Sequence, residues 1–277
     1  MKKTILITGS TDGIGLEAAR MFVSQGHHVL LHGRNPVKLQ EVESELSGLP
    51  GGGSVESYLA DLSRMGDVET LAKHIIERSS QLDVLINNAG IFRTTEPTTQ
   101  DGLDVRFVVN TIAPYLLTKR LLPLMTSSSR VINLSSAAQS PVNSEALYGR
   151  VKFSDELDAY AQSKLALTMW SRSMALSLKD GGPIIIAVNP GSMLATKMVK
   201  EGFGVAGNDI DIGAEILFRV ALTDEFETAT GQYFDNDRGQ FSSPHPDALN
   251  PLTTEPGSRY FCGSLFWASK PKQAANT

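Results

Sequence analysis

Cysteine is nearly absent: Cys262 is the only one in 277 residues. A lone cysteine forms no intrachain disulfide, which fits a reducing compartment. The histidines His27, His28, His32, His74 and His245 pair with no Cys, Asp or Glu at a metal-ligand spacing, so no metal site is expected. No apolar run approaches the length of a membrane span. Met1-Lys2-Lys3 has the charge of a secretory signal, but the run Ile5 to Ile7 stops at Gly9, too short for a signal core. Basic runs are missing and the net charge is -5, which argues against nucleic acid and anionic membranes as partners. Internal repeats are also missing. These absences leave a cytoplasmic protein with a small-molecule partner as the expectation.

What is present is enough apolar material, 41% of residues, for a sizeable core in one unit. Short β-branched runs at 4–8, 28–32, 55–59, 84–87, 130–134, 184–189 and 232–234 predict about seven strands. Several are continuously apolar, as strands buried on both faces should be. Helical patterns lie between them at 14–24, 36–46, 66–79, 100–125, 159–178 and 212–222. The alternation predicts an α/β fold: a single Rossmann-type doubly wound parallel sheet with helices on both faces. Residues 1–241 are expected to form the nucleotide-binding catalytic domain. Periodicity fails from about Ser242, so 242–277 reads as an irregular tail, with Tyr260–Trp267 docking on the core or on a second subunit.

The first predicted strand runs into Thr8-Gly9-Ser10-Thr11-Asp12-Gly13-Ile14-Gly15, which opens a helix. Glycines let backbone approach a diphosphate, and a helix N-terminus offers it free N–H groups. Gly9, Ser10, Thr11, Gly13, Ile14 and Gly15 are therefore candidate cofactor contacts. The spacing is G-x-x-x-G-x-G rather than the general dinucleotide fingerprint. The second strand ends in Gly33-Arg34-Asn35. An NAD-preferring site wants an acid there, for the ribose 2′-hydroxyl. A guanidinium instead suits a 2′-phosphate. Arg34 and Asn35 thus point to NADP(H) ahead of NAD(H).

Further along stand Ala60-Asp61-Leu62, Asn87-Asn88-Ala89-Gly90, Asn110, Ser135-Ser136, Tyr160-Ala161-Gln162-Ser163-Lys164 and Pro190-Gly191. In this order the motifs resemble those of the short-chain dehydrogenase/reductase family, over Thr4 to about Asn236, with likeness to its retinol dehydrogenase and carbonyl reductase members. The resemblance implies that Asp61 and Leu62 flank the adenine, although Asp61 also suits a helix N-cap. It implies that Asn88, Ala89 and Gly90 line the cofactor cleft, and that Pro190, Gly191 and Thr196 hold the nicotinamide end. Ser136 would bond the substrate oxygen, and Asn110 would hold a water relaying protons from Lys164. The loop before Thr196 is one residue longer than the family pattern. The stretch Met193–Asn208 reads as a lid, and Phe92, Phe153, Met193 and Phe203 as an apolar pocket. Helices four and five often form dimer interfaces in this family, so a homodimer and a monomer both stay open.

Hydride transfer to a carbonyl needs a proton at oxygen. Tyrosine supplies it once a nearby ammonium lowers its pKa, and Tyr-x-x-x-Lys on a helix puts both groups on one face. Two segments have this spacing, Tyr148/Lys152 and Tyr160/Lys164. Tyr148 stands 12 residues after Ser136, near the usual family interval. Gly149, Val151 and the break at Phe153-Ser154-Asp155 make that segment a poor helix. Tyr160 instead leads into a long apolar pattern, so Tyr160 and Lys164 are the expected pair and 139–158 an insertion. A non-catalytic, redox-sensing NADP-binding regulator is the alternative; it would have no use for a proton donor.

Overall fold

A computed structural model describes residues 1–178 and 181–250. The expected docking segment Tyr260–Trp267 lies outside them. The chain runs β1 (Thr4–Ile7), α1 (Gly13–Ser24), β2 (His28–Gly33), α2 (Pro36–Ser47), β3 (Ser54–Leu59), α3 (Met65–Arg78) and β4 (Val84–Asn87). It continues through α4 (Val105–Phe107), α5 (Ala113–Leu121), β5 (Arg130–Leu134), α6 (Ser144–Leu147), α7 (Glu156–Ser177) and β6 (Ile184–Asn189). Last come α8 (Lys197–Phe203), α9 (Asp211–Leu222), β7 (Tyr233–Asp235), β8 (Gln240–Ser242) and α10 (Pro246–Leu249).

The strands form one sheet in the order β3-β2-β1-β4-β5-β6-β7-β8. All neighbours pair in parallel except β7 and β8. Side chains alternate across each strand. Leu6, Leu30, Leu85, Val131 and Ile185 therefore face the core beneath α3, α5 and α7. Ile7, Leu31, Ile86, Ile132 and Ile186 face the opposite core, beneath α1, α2 and α9. Helices on both faces explain why several of the strands read as apolar runs. The chain reverses its winding between β1 and β4, so a crevice opens at the carboxyl ends of those two strands.

Three expectations are corrected. The helix expected over 100–125 is broken. Gly102 takes φ +79, and Thr98 bridges Asp104 before α4 begins. Between α4 and α5 the chain makes a π-turn over Val108–Ile112. Pro114 has no N–H to return to the Asn110 carbonyl, so regular α-bonding fails at Asn110. Phe153 is not in the lining of the cleft at Tyr160; its ring stacks on buried Phe107, with centroids 5.7 Å apart. Regular structure also does not end at 241. β8 spans that point, and α10 follows with Ala248 fully buried in the α7-side core. Its short polar elements gave no periodic signal.

Candidate active site

A cleft of about 510 Å³ lies along the switch point. On one side stand Gly9, Thr11, Gly13 and Ile14, with Arg34 and Asn35 on the rim. Asp61, Leu62, Asn88, Ala89 and Gly90 continue the wall, and Tyr160, Lys164, Pro190 and Thr196 close the far end. The sequence reading missed His32, Lys38, Ile91 and Val109, which also line it, and Lys197 and Met198 join them from the stretch read as a lid. Only Lys38 left a trace: it stands one helical turn after Arg34, at the start of α2.

Backbone geometry explains the glycines. Gly9 has φ +65, and a Cβ there would stand 2.9 Å from the Ala89 backbone. Gly13 has φ +60 and faces the Thr196 methyl across the cleft, 3.7 Å from where its own Cβ would be. Gly15 is buried away from the cleft lining; a Cβ on it would meet Asn88 Nδ2 at 2.4 Å, so it serves helix packing. Ser10 is fully buried and exchanges hydrogen bonds with the His32 backbone, so its hydroxyl faces the sheet rather than the cleft. Asn88 donates to the Thr8 and Gly9 carbonyls at 2.9 and 3.0 Å, tying the loop to β4.

At the rim, Asn35 caps α2 by accepting from the Val37 and Lys38 amides. Arg34 is exposed, and Lys38 stands 3.7 Å from Asp12. Gly33 leaves no room for an acid unless Thr11 moves: a Cβ there would meet the Thr11 methyl at 2.6 Å. Asp61 is not the cap of α3. It accepts from the amide and hydroxyl of Ser63 in a local turn, and Arg64 occupies the cap position without a side-chain bond.

At the other end, Asp155 caps α7 by accepting from Leu157 N, so the helix starts a turn before Tyr160. Tyr160 and Lys164 share one face of it. Lys164 is 4% exposed; its Nζ donates to the Leu134 carbonyl at 2.7 Å and lies 5.6 Å from the Tyr160 ring centre. Burial lowers the Lys164 pKa to about 8. Burial raises the Tyr160 phenol, and a hydrogen bond with the Ser136 side chain offsets part of that rise. The net shift of the phenol is upward: desolvation exceeds the lowering by Ser136, and no lowering comes from Lys164, whose ammonium donates to Leu134.

Ser135 lines the cleft, but its hydroxyl is spent on Thr168 at 2.7 Å. The hydroxyl of Ser136 meets Tyr160 instead. The Ser136 carbonyl accepts from Tyr233 at 3.1 Å and from Gln139 at 2.9 Å, two donors the sequence did not reveal. Asn110 sits behind Gly90 in the π-turn. Its Oδ1 accepts from Ile91 N, and its Nδ2 donates to Ile91 O and Ser163 Oγ. Both donors are used, leaving one Oδ1 lone pair toward Gly90. Tyr148 lies outside the cleft at the end of four-residue α6, with the Arg150 guanidinium 5.3 Å from its ring centre.

The longer loop is absorbed by Met193, the one non-glycine residue with positive φ (56°) among the described residues. Leu194 then bridges Asn208, and Thr196 keeps its place by capping α8 through Val199 N. Gly191 lies just off the cleft lining; the neighbouring Ser192 is held by Asp237, whose carboxylate accepts from its amide at 2.7 Å. Above Tyr160, the Phe92 ring stands 5.3 Å from Tyr160 and 5.6 Å from Phe203. Among the described residues no helix is long and apolar enough to cross a membrane, and no group of side chains is arranged to hold a metal.

Residues 3–203 match the family model described as short chain dehydrogenase. Retinol dehydrogenase 13 of Mus musculus is 29% identical over 88% of this chain and 79% of its own. The chloroplastic short-chain dehydrogenase TIC 32 A of Brassica napus is 31% identical over 83% of this chain and 79% of its own. A crystal structure of a short chain dehydrogenase from Shigella flexneri, complexed with NADP, superposes with a TM-score of 0.66 at 26% identity, covering 84% of this chain and 96% of that one. With its fold, cleft and family match in agreement, the chain belongs to the short-chain dehydrogenase family of oxidoreductases.

Proposed function

We propose that the protein is an NADP-preferring oxidoreductase that interconverts an apolar carbonyl compound and its alcohol. The observation that carries this reading is the pairing of Tyr160 with Lys164 in the lining of a glycine-floored cleft, with the Ser136 side chain hydrogen-bonded to Tyr160. The cleft fits a dinucleotide. Gly9 and Gly13 let backbone approach a diphosphate beside the start of α1. Arg34 and Lys38 offer cations where a 2′-phosphate would lie, and Gly33 withholds the acid that would select NAD. The Shigella flexneri relative solved with NADP supports the same cofactor. When bound, the nicotinamide donates or accepts the hydride.

The chain's own groups handle the proton. In reduction, Tyr160 Oη gives its proton to the substrate oxygen while Ser136 Oγ steadies the developing charge. A phenol raised by burial stays protonated at neutral pH and is ready for that direction. Lys164 keeps donors beyond the Leu134 bond for a cofactor ribose. The remaining Oδ1 lone pair of Asn110 is the place for a relay water. Pro190 and Thr196 bound the nicotinamide end, and Asp61 and Leu62 the adenine end. Phe92, Phe203 and Met198 make the approach to Tyr160 apolar, and residues 1–249 act as one catalytic unit.

The test is turnover of a panel of carbonyls with NADPH and alcohols with NADP, followed at the nicotinamide absorbance and repeated with NADH and NAD. Efficient turnover with the phosphorylated cofactor is expected. Better efficiency with NADH would overturn the cofactor preference. Tight binding without turnover of any substrate would overturn the enzyme in favour of a redox-sensing regulator.

A further inference from the structure

His32 has no part in the proton chemistry, yet it joins two walls of the cleft. It is the next-to-last residue of β2 and is 3% exposed. Its Nδ1 accepts from the Gly9 amide at 3.0 Å. Its Nε2 faces the Ala60 carbonyl at 3.2 Å. Since Nδ1 receives an N–H, it carries no proton; Nε2 therefore carries it and donates to Ala60. The ring is held neutral in a single tautomer, and burial lowers its pKa to about 4. Its backbone adds two bonds, giving N–H to Ser10 Oγ at 2.9 Å and accepting from the Ser10 amide at 3.0 Å.

The consequence is geometric. Gly9 leads the phosphate loop, and Ala60 precedes the Asp61-Leu62 corner. One imidazole spans the two and sets the distance between them. It also takes the Gly9 N–H, so that donor points into the protein and the later amides of the loop are left for an anion. We infer that His32 is a positioning residue for the dinucleotide: it fixes the phosphate loop against the adenine corner and so governs cofactor affinity without touching the proton-transfer groups. The inference rests on the cofactor reading above.

Three variants separate the two bonds. Asparagine places an acceptor near Nδ1, glutamine places a donor near Nε2, and leucine supplies neither. NADPH affinity is measured by fluorescence titration of the full chain, alongside steady-state kinetics. For His32→Leu the cofactor Kd and KM are expected to rise about tenfold, with kcat at saturation within about twofold. His32→Asn is expected to recover most of the affinity and His32→Gln less. Unchanged affinity in His32→Leu, or equal affinity in the asparagine and glutamine variants, overturns the inference; if the leucine variant fails to fold, that second comparison decides. Long-range 15N NMR of the wild-type ring supplies a readout that needs no cofactor. A protonated Nε2 with an unprotonated Nδ1 is expected, and the reverse tautomer overturns the inference even if the protein binds no NADP. Absence of all nicotinamide binding in the wild type, with the expected tautomer present, would instead remove the functional reading.

Discussion

The two ends of the cleft are built from opposite materials. At the Arg34 end, charge sits in the open: Arg34 is exposed, and the Lys38 side chain is 54% exposed beside Asp12. At the chemical end, charge is hidden: Lys164 is 4% exposed and bonded to a strand carbonyl. An exposed cation binds an anion with little prior desolvation, but salt screens it. A buried one is shielded from salt, and its proton affinity is reset by its surroundings. The first arrangement suits recognition and the second suits proton handling. Affinity and turnover should therefore respond to different insults.

The sharpest way to divide them is Tyr160→Phe. Its kcat is expected to fall by roughly 10²- to 10⁴-fold, while NADPH affinity changes little, because only the proton donor is removed. Retained turnover would break the division at its stronger end. Next is a stability measurement around His32, which lies toward the Arg34 end but is buried like Lys164. Its folded pKa of about 4 lies below the ordinary 6.5. The unfolded chain therefore binds a proton that the folded chain refuses as pH falls below about 6.5. That contribution is fully present above pH 6.5 and is lost as pH drops to about 4, at a cost of about 3 kcal/mol. Denaturant unfolding at both pH values should show a smaller loss for His32→Asn than for wild type, and equal losses would mean that the ring is not held neutral. Arg34→Ala comes third. It should weaken NADPH roughly tenfold and leave NADH unaffected, and NADPH affinity should become less sensitive to salt. A matching loss with NADH would mean that the guanidinium does not read the 2′-phosphate. The smallest effect is expected for Tyr148→Phe, whose activity should stay within about twofold of wild type because that ring lies off the cleft.

Legibility followed the same divide between regular and irregular backbone. Strands β1, β2, β4, β5 and β6 were readable because burial on both faces demands largely apolar runs. The glycine loop was readable because glycine takes the positive φ values of Gly9 and Gly13 without the strain a side chain would add. Tyr160 could be chosen over Tyr148 because Gly149 and Val151 could not carry a helix, and α7 does begin after them. The break at Gly102 was hidden, since isolated glycine is tolerated in many helices. The π-turn at Asn110 arises from Pro114 together with tertiary contacts of Asn110, which no local pattern expresses. The role of His32 depends on partners at Gly9 and Ala60, distant in sequence. The rise in the Tyr160 pKa was missed because spacing reports who is near and says nothing of how much water has been removed.

Gly202 lies under the Phe92 ring, and a Cβ on it would stand 2.6 Å from that ring. The short helix α8 therefore docks on the Phe92 ring through bare backbone, with the Arg93 guanidinium beside that ring donating to the Glu201 carbonyl. One methyl group added at Gly202 would act as a doorstop, and trimming Phe92 would widen the entrance from the other side. Side-chain size at these two positions thus sets how closely α8 can approach the ring that packs on Tyr160.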